Sequence, residues 1–133
     1  MSIQVRLITP DKIVWDTNAE EIILPSVTGQ IGVLKNHATL ITALEIGLLR
    51  IKSENKWNLI VLTGGFAEID ENEVVVLVKK VEEIKEEETE EYLIGNIEKI
   101  TTEMNSAETE AEKIIKTQEV KIITSKLQAK KNY

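Results

Sequence analysis

One feature constrains this chain more than any other: its hydrophobic period changes near residue 79. Up to that point apolar residues alternate with polar ones or run in short β-branched stretches. IQVRLI (3–8) puts Ile3, Val5 and Leu7 on one face and Gln4 and Arg6 on the other, the two-residue period of a half-buried strand. KIVWD (12–16), EIILP (21–25), QIGVL (30–34), LITAL (40–44), GLLRIK (47–52), WNLIVLT (57–63), FAEI and EVVVLV (73–78) follow, parted by turn signals such as TPD, KSENK and DENE. Short strands at spacings of about 8–12 residues predict an antiparallel sandwich or barrel. VVVLV is apolar throughout, which predicts a strand buried on both faces. Gly64-Gly65 predicts a bulge or a hairpin turn.

After Lys79 comes a charged connector, KKVEEIKEEETEE. Leu93, Ile97, Ile100, Met104, Ala107 and Ala111 then recur at intervals of four and three, one apolar stripe on a helix. Asn105 with Glu108 has the spacing of a capping box and marks a second helix start. Ile114, Ile115, Ile122, Ile123 and Leu127 carry the apolar face to the C-terminus. One long helix with a soft point near 105 also satisfies the pattern, but a hairpin gives each stripe a partner. The fold predicted is therefore α+β: an N-terminal antiparallel β-sandwich (1–84) followed by a C-terminal two-helix hairpin (85–133).

The composition excludes several functions. A net charge of −7 argues against nucleic acid, whose phosphates need a basic face. Aromatic residues make up only 4%, too few for stacking platforms. With no cysteine there is neither a disulfide framework nor a thiolate metal site. No apolar run approaches the roughly 20 residues that span a bilayer, and MSIQVRLITP lacks the pattern of a secretory signal. Work at a membrane thus requires another protein as anchor.

The stretch TGQIGVLKNH (28–37) contains two of six glycines and the single histidine. Catalysis by His37 needs an orienting carboxylate, and none lies between Glu21 and Glu45. Gly29-Gln30-Ile31-Gly32 is no P-loop, because no GK[ST] follows. The carboxylates of EEIKEEETEE lack the alternating ligands and central glycine of a calcium loop, and no histidine joins them for zinc. Nothing composes an active site, which favours a partner-binding or regulatory role without catalytic residues, cofactor or metal.

Four segments taken in order carry a resemblance: V-x-L-I-T-P-D-K-x-V-W-D (5–16), E-I-I-L-P-S-V-T-G-Q-I-G-V-L-K-N-H-A (21–38), I-G-L-L-R-I-K (46–52) and G-G-F-A-E-I-D-x-N-E-V-V-V-L-V (64–78). Together they resemble the ε subunit family of rotary proton-translocating ATP synthases, in its plastid and cyanobacterial type. The resemblance is close over 3–80; the helical tail matches in length and pattern. It implies a non-catalytic rotor subunit at the foot of the central stalk, bound to the γ subunit and seated on the c-ring. Such a subunit couples proton flow to ATP synthesis. Its helices restrain ATP hydrolysis through transient contact with the catalytic β/α subunits. It implies a plastid thylakoid location, peripheral on the stromal side, with the cytoplasmic side of a bacterial or cyanobacterial membrane as the alternative. Gln30, Val33, Lys35 and His37 become candidate contacts to the c-ring or γ.

Two departures from the family pattern stand out. Thr39 follows His37-Ala38 where the family usually has proline, which predicts a less rigid loop. The chain has no arginine after Arg50, whereas some bacterial members bind ATP through arginine in the hairpin. Lysine lacks arginine's bidentate fork, so no tight ATP site is expected. Lys121, Lys126, Lys130 and Lys131 are expected instead to act as point charges on an acidic surface of the catalytic head, an inhibition that salt weakens. Two other readings remain: a stand-alone β-sandwich adaptor with an acidic helical tail, and an enzyme using His37 with a distant carboxylate.

Overall fold

The structure is a computed structural model and describes residues 2–133. It divides into two compact units, one ending at Glu83 and one running from Ile84 to Tyr133. The first holds strands β1 (Ile3–Ile8), β2 (Ile13–Ala19), β3 (Glu21–Ser26), β4 (Gly29–Val33), β5 (His37–Ser53), β6 (Lys56–Glu71), β7 (Glu73–Val78) and β8 (Val81–Glu82). They hydrogen-bond in the order β2-β1-β7-β6-β5-β3-β4, with β8 beside β6.

Chain length forces this single ribbon to fold over. Val33 pairs beside Ile22, and Ile22 pairs beside Ile51. His37 lies four residues beyond Val33, a reach of about 14 Å, yet it begins the strand that contains Ile51. A straight strand from His37 to Ile51 spans about 46 Å. The β5–β6 hairpin must therefore bend midway, and each of its halves serves a different layer. Residues 65–70 of β6 pair with β7, while residues 61–62 pair with β8. That is the expected sandwich.

The bend falls where glycine permits it. Gly64 and Gly65 have φ of 102° and 151°, a region that side chains disfavour. The register runs unbroken across them, with Leu44 opposite Gly65 and Ile46 opposite Thr63. The pair is thus neither bulge nor hairpin turn, and LITAL with GLLRIK forms one strand, as does WNLIVLT with FAEI. A Cβ on Gly65 would sit 2.9 Å from the Val78 Cα, so the close approach of β6 to β7 requires glycine. The hairpin itself closes at Glu54-Asn55, both at positive φ, as a two-residue turn between right-twisted strands demands.

The core is built from alternating positions: Ile3, Val5 and Leu7; Ile22 and Leu24; Leu49 and Ile51; Ala67 and Ile69; Val74, Val76 and Val78. Two expectations change here. The pairing is not wholly antiparallel, because β1 lies parallel to β7. Nor is β7 buried on both faces: Val75 is half-buried and Leu77 is exposed. Alternation puts Val74, Val76 and Val78 into the core and turns Val75 and Leu77 to the other face of the sheet. Unbroken burial belongs instead to Gly47–Ile51 of β5.

The second unit is a helical hairpin, α1 (Glu90–Asn105) and α2 (Glu110–Asn132). Thr89 caps α1 by accepting from the Tyr92 N–H, and Thr109 caps α2 by accepting from the Glu112 N–H. The Asn105/Glu108 start is thus corrected by four residues. Asn105 still belongs to α1, and T-x-x-E at 109–112 is the cap, with the Glu112 carboxylate reaching back to the Glu108 N–H. Glu103 of α1 meets Lys116 of α2 at 2.9 Å, which sets the two helices antiparallel. The apolar faces are only partly covered. Leu93 and Ala129 are buried, but Ile114 and Ile115 stand exposed.

Candidate functional site: two surfaces of the sandwich

The stretch 28–37 folds as a hairpin turn and a loop at the two ends of β4. The β3–β4 turn is Val27-Thr28, followed by Gly29 at φ 115°. Ser26 organises it: its hydroxyl accepts from the Thr28 N–H and shares hydrogen bonds with the Thr28 and Thr42 hydroxyls at 3.0 and 2.7 Å. The Val27 N–H donates to the Ala43 carbonyl. This turn is clamped to β5 and holds Gln30 out to solvent.

At the other end of β4 the chain turns through Asn36, at φ 63°. Its N–H donates to the Asn72 side chain at 2.7 Å, and the Asn72 amide donates back at 3.3 Å. The Asn72 carbonyl in turn accepts from the Gln4 N–H. Three segments are thereby stitched together, so the loop is braced by partners in place of the missing proline. The Thr39 hydroxyl adds a bond to the Asp70 carboxylate at 3.3 Å.

Lys35 points to solvent and His37 is half-buried, while Val33 is not a surface residue. It is 0% exposed and belongs to the core, because alternation along β4 turns Ile31 and Val33 inward. Val33 as a contact candidate is therefore corrected. Two exposed apolar residues lie beside it: Val27, which the sequence reading leaves between two strands, and Leu34, which it places at the end of one. The His37 Nδ1–H donates to the Ala38 carbonyl at 2.7 Å, a local bond that orients the ring without a carboxylate.

A second surface emerges from the register. On the outward side of the first layer, Ala43 faces Phe66, Phe66 faces Leu77, Leu77 faces Ile8 and Ile8 faces Ile13. This is one apolar row across five strands. Phe66 is 60% and Leu77 52% exposed, and a cleft of about 340 Å³ runs along them between Pro10 and Lys79. The next row is mixed: Ile41, Glu68, Val75, Arg6 and Asp16. The row beyond is polar, with Asp70, Glu73, Gln4 and Asn18. An apolar row graded into charged neighbours is the anatomy of a protein interface. The sequence reading marks no residue of the apolar row as outward and places Leu77 in a strand buried on both faces; only the register between strands brings them into one row.

The four lysines also separate. Lys121 and Lys131 are exposed. Lys126 is buried against Glu88, its Nζ 3.0 Å from the carboxylate, and the Lys130 Nζ donates to the Lys85 carbonyl at 2.8 Å. In this conformation Lys126 and Lys130 are engaged within the helical unit. Among the described residues no cluster of three metal-ligating side chains forms, and no helix is long and apolar enough to cross a membrane.

The class is defined by fold: a β-sandwich that presents a graded apolar row on its outer face, followed in sequence by a capped helical hairpin. Residues 2–84 match the family model of the ATP synthase delta/epsilon chain β-sandwich domain. Over 130 residues the chain is 48% identical to the chloroplastic ATP synthase epsilon chain of Pylaiella littoralis, covering 97% of both. It is 46% identical over 129 residues to that of Guillardia theta, covering 97% of this chain and 98% of the relative. Among solved structures it is similar to a chain in the Euglena gracilis mitochondrial ATP synthase, with TM-score 0.80 and 24% identity, covering 96% of this chain and 80% of the other. The chain belongs to the ATP synthase delta/epsilon family.

Proposed function

We propose that this chain is the foot of the rotor in a plastid ATP synthase, on the stromal side of the thylakoid membrane. It joins the γ subunit to the c-ring, couples proton flow to ATP synthesis, and restrains ATP hydrolysis through its two helices. The observation that carries the reading is full-length relatedness to chloroplastic epsilon chains. The row from Ala43 through Phe66 and Leu77 to Ile13 is the seat for γ, since an exposed aromatic anchor among aliphatic neighbours is what a stable partner buries. Gln30, Lys35 and His37, with Val27 and Leu34, make the contact with the c-ring. A joint that transmits torque has to be stiff. The Ser26 hydroxyl cluster and the Asn36–Asn72 brace supply that stiffness on either side of β4.

The test uses a chloroplast-type catalytic head depleted of its epsilon chain but retaining γ. Wild-type chain is expected to bind γ and suppress ATP hydrolysis. Phe66→Glu and Leu77→Glu are expected to lose γ binding by at least tenfold while keeping their circular dichroism. Lys35→Glu is expected to keep γ binding and lose coupling in the complete, membrane-bound enzyme. Failure of the wild-type chain to bind γ overturns the assignment as a whole. Unchanged binding by both glutamate variants overturns the seat alone.

A further inference from the structure

We propose that the helical hairpin is held shut by a charge latch at the end away from its 106–109 loop: Lys126 on Glu88, backed by Lys130 on the Lys85 carbonyl. The latch withdraws two of the tail's lysines from any partner until the helices part. It rests on the geometry of the helical unit, and its regulatory meaning rests on the function proposed above.

Burial makes Lys126 the decisive residue. Only 7% of it is exposed, and an ammonium taken out of water is tolerated only against a well-placed acceptor. The Glu88 carboxylate is itself fixed from both sides. One oxygen accepts from Lys126 at 3.0 Å and the other from the Lys85 N–H at 3.1 Å. One turn further along α2, the Lys130 ammonium reaches back to the Lys85 carbonyl at 2.8 Å. Two consecutive turns of α2 therefore grip the same four-residue segment, 85–88. These partners lie 38 and 45 positions apart in sequence, so both bonds exist only while α2 lies back along α1. The pair at the loop end, Glu103 with Lys116, has 42% and 31% of its side chains exposed. An exposed pair contributes little and is screened. The sheltered pair is the one that holds.

Opening the hairpin frees these lysines for an acidic partner. In that light the tail's charges act by competition: the same ammonium groups that close the hairpin are offered outward when it opens.

The chain lacks cysteine, so labels on the exposed sites Glu91→Cys and Asn132→Cys report opening by a spin-label distance in the full-length protein. Amide exchange across the last turns of α2 gives an independent readout. Glu88→Lys and Lys126→Glu are each expected to raise the open fraction and the exchange rate about tenfold, the scale of a charge-assisted hydrogen bond. The double reversal Glu88→Lys/Lys126→Glu is expected to recover most of the closed state. Glu88→Gln, which preserves shape, is expected to give an intermediate opening and guards against misreading a folding defect. Single reversals without effect overturn the latch, as does a double reversal that fails to restore closure. No ATP synthase partner is present in these measurements, so their failure is separable from failure of the rotor assignment.

Discussion

Val33 and Lys35 are two positions apart, and their fates differ completely. Strand alternation turns Val33 into the core, whereas Lys35 stands on the loop that Asn36 and Asn72 brace. Val33→Ala is therefore expected to destabilise the sandwich by about 2 kcal/mol, the transfer and cavity cost of two buried methyl groups. Lys35→Ala is expected to stay within about 0.5 kcal/mol of wild type. Urea denaturation of the two variants distinguishes them, and equal losses would contradict the burial. Gly65 is the other residue on which the fold depends. Gly65→Ala pairs a positive φ with a collision against Val78, so a loss of about 2–3 kcal/mol is expected, read as a lower urea midpoint. The glycine pair was visible in the sequence as a punctuation mark. Its role was not, because a turn, a bulge and a bend use the same residue for the same φ freedom.

At the scale of elements, the helical hairpin shows how local signals compete. N-x-x-E at 105–108 and T-x-x-E at 109–112 both satisfy the capping pattern, and the choice rests on where α1 stops. The Ser106 N–H still donates to the Thr102 and Glu103 carbonyls, which uses Asn105 as helix and leaves Thr109 as cap. Thr109→Ala is expected to cost about 1 kcal/mol, seen as faster amide exchange in the first turn of α2, with Asn105→Ala nearly silent. A reversed ranking would restore the earlier helix start. The strands pose the opposite problem. Each was legible as an alternating segment, yet β5 and β6 each read as two, because Gly47 in one and Gly64-Gly65 in the other look in sequence like the end of an element.

At the scale of the molecule, the hairpin carries the groups whose titration bears on stability, one on the acid side and one on the alkaline side. Burial raises the Glu88 carboxyl. The Lys85 N–H, the Lys126 hydrogen bond and the charges of Lys126 and Lys85 outweigh it, and hold the group below its ordinary 4.5. A carboxylate with a lowered folded value contributes stability that is complete above 4.5 and lost as pH falls through the folded value. α2 exchange protection is thus expected to drop below pH 4.5, and to drop less steeply in Glu88→Gln; identical slopes would remove Glu88 from the acid transition. The hydrogen bond that Lys116 donates to the Glu103 carboxylate, with that carboxylate's charge, raises Lys116 above 10.5. That contribution is complete below 10.5 and fades as pH rises through the folded value. Because the sandwich carries its own core, residues 1–84 alone are expected to unfold in one cooperative urea transition.

What the sequence alone determined was everything set by neighbours along the chain. The two-residue and four-residue periods named the strands and helices, and their order implied a sandwich followed by a hairpin. Motif order carried the family, because its glycines and turn residues recur at fixed local spacing. Only the tertiary structure decided what depends on residues distant in sequence. The Ala43–Phe66–Leu77–Ile8–Ile13 row exists through register between five strands. β1 lies parallel to β7 because a long crossover places it there. Lys126 is buried against Glu88 because α2 returns along α1 to the segment before it. Periodicity records which way a side chain faces along its own element; what it then meets is set by the packing of elements that the sequence separates.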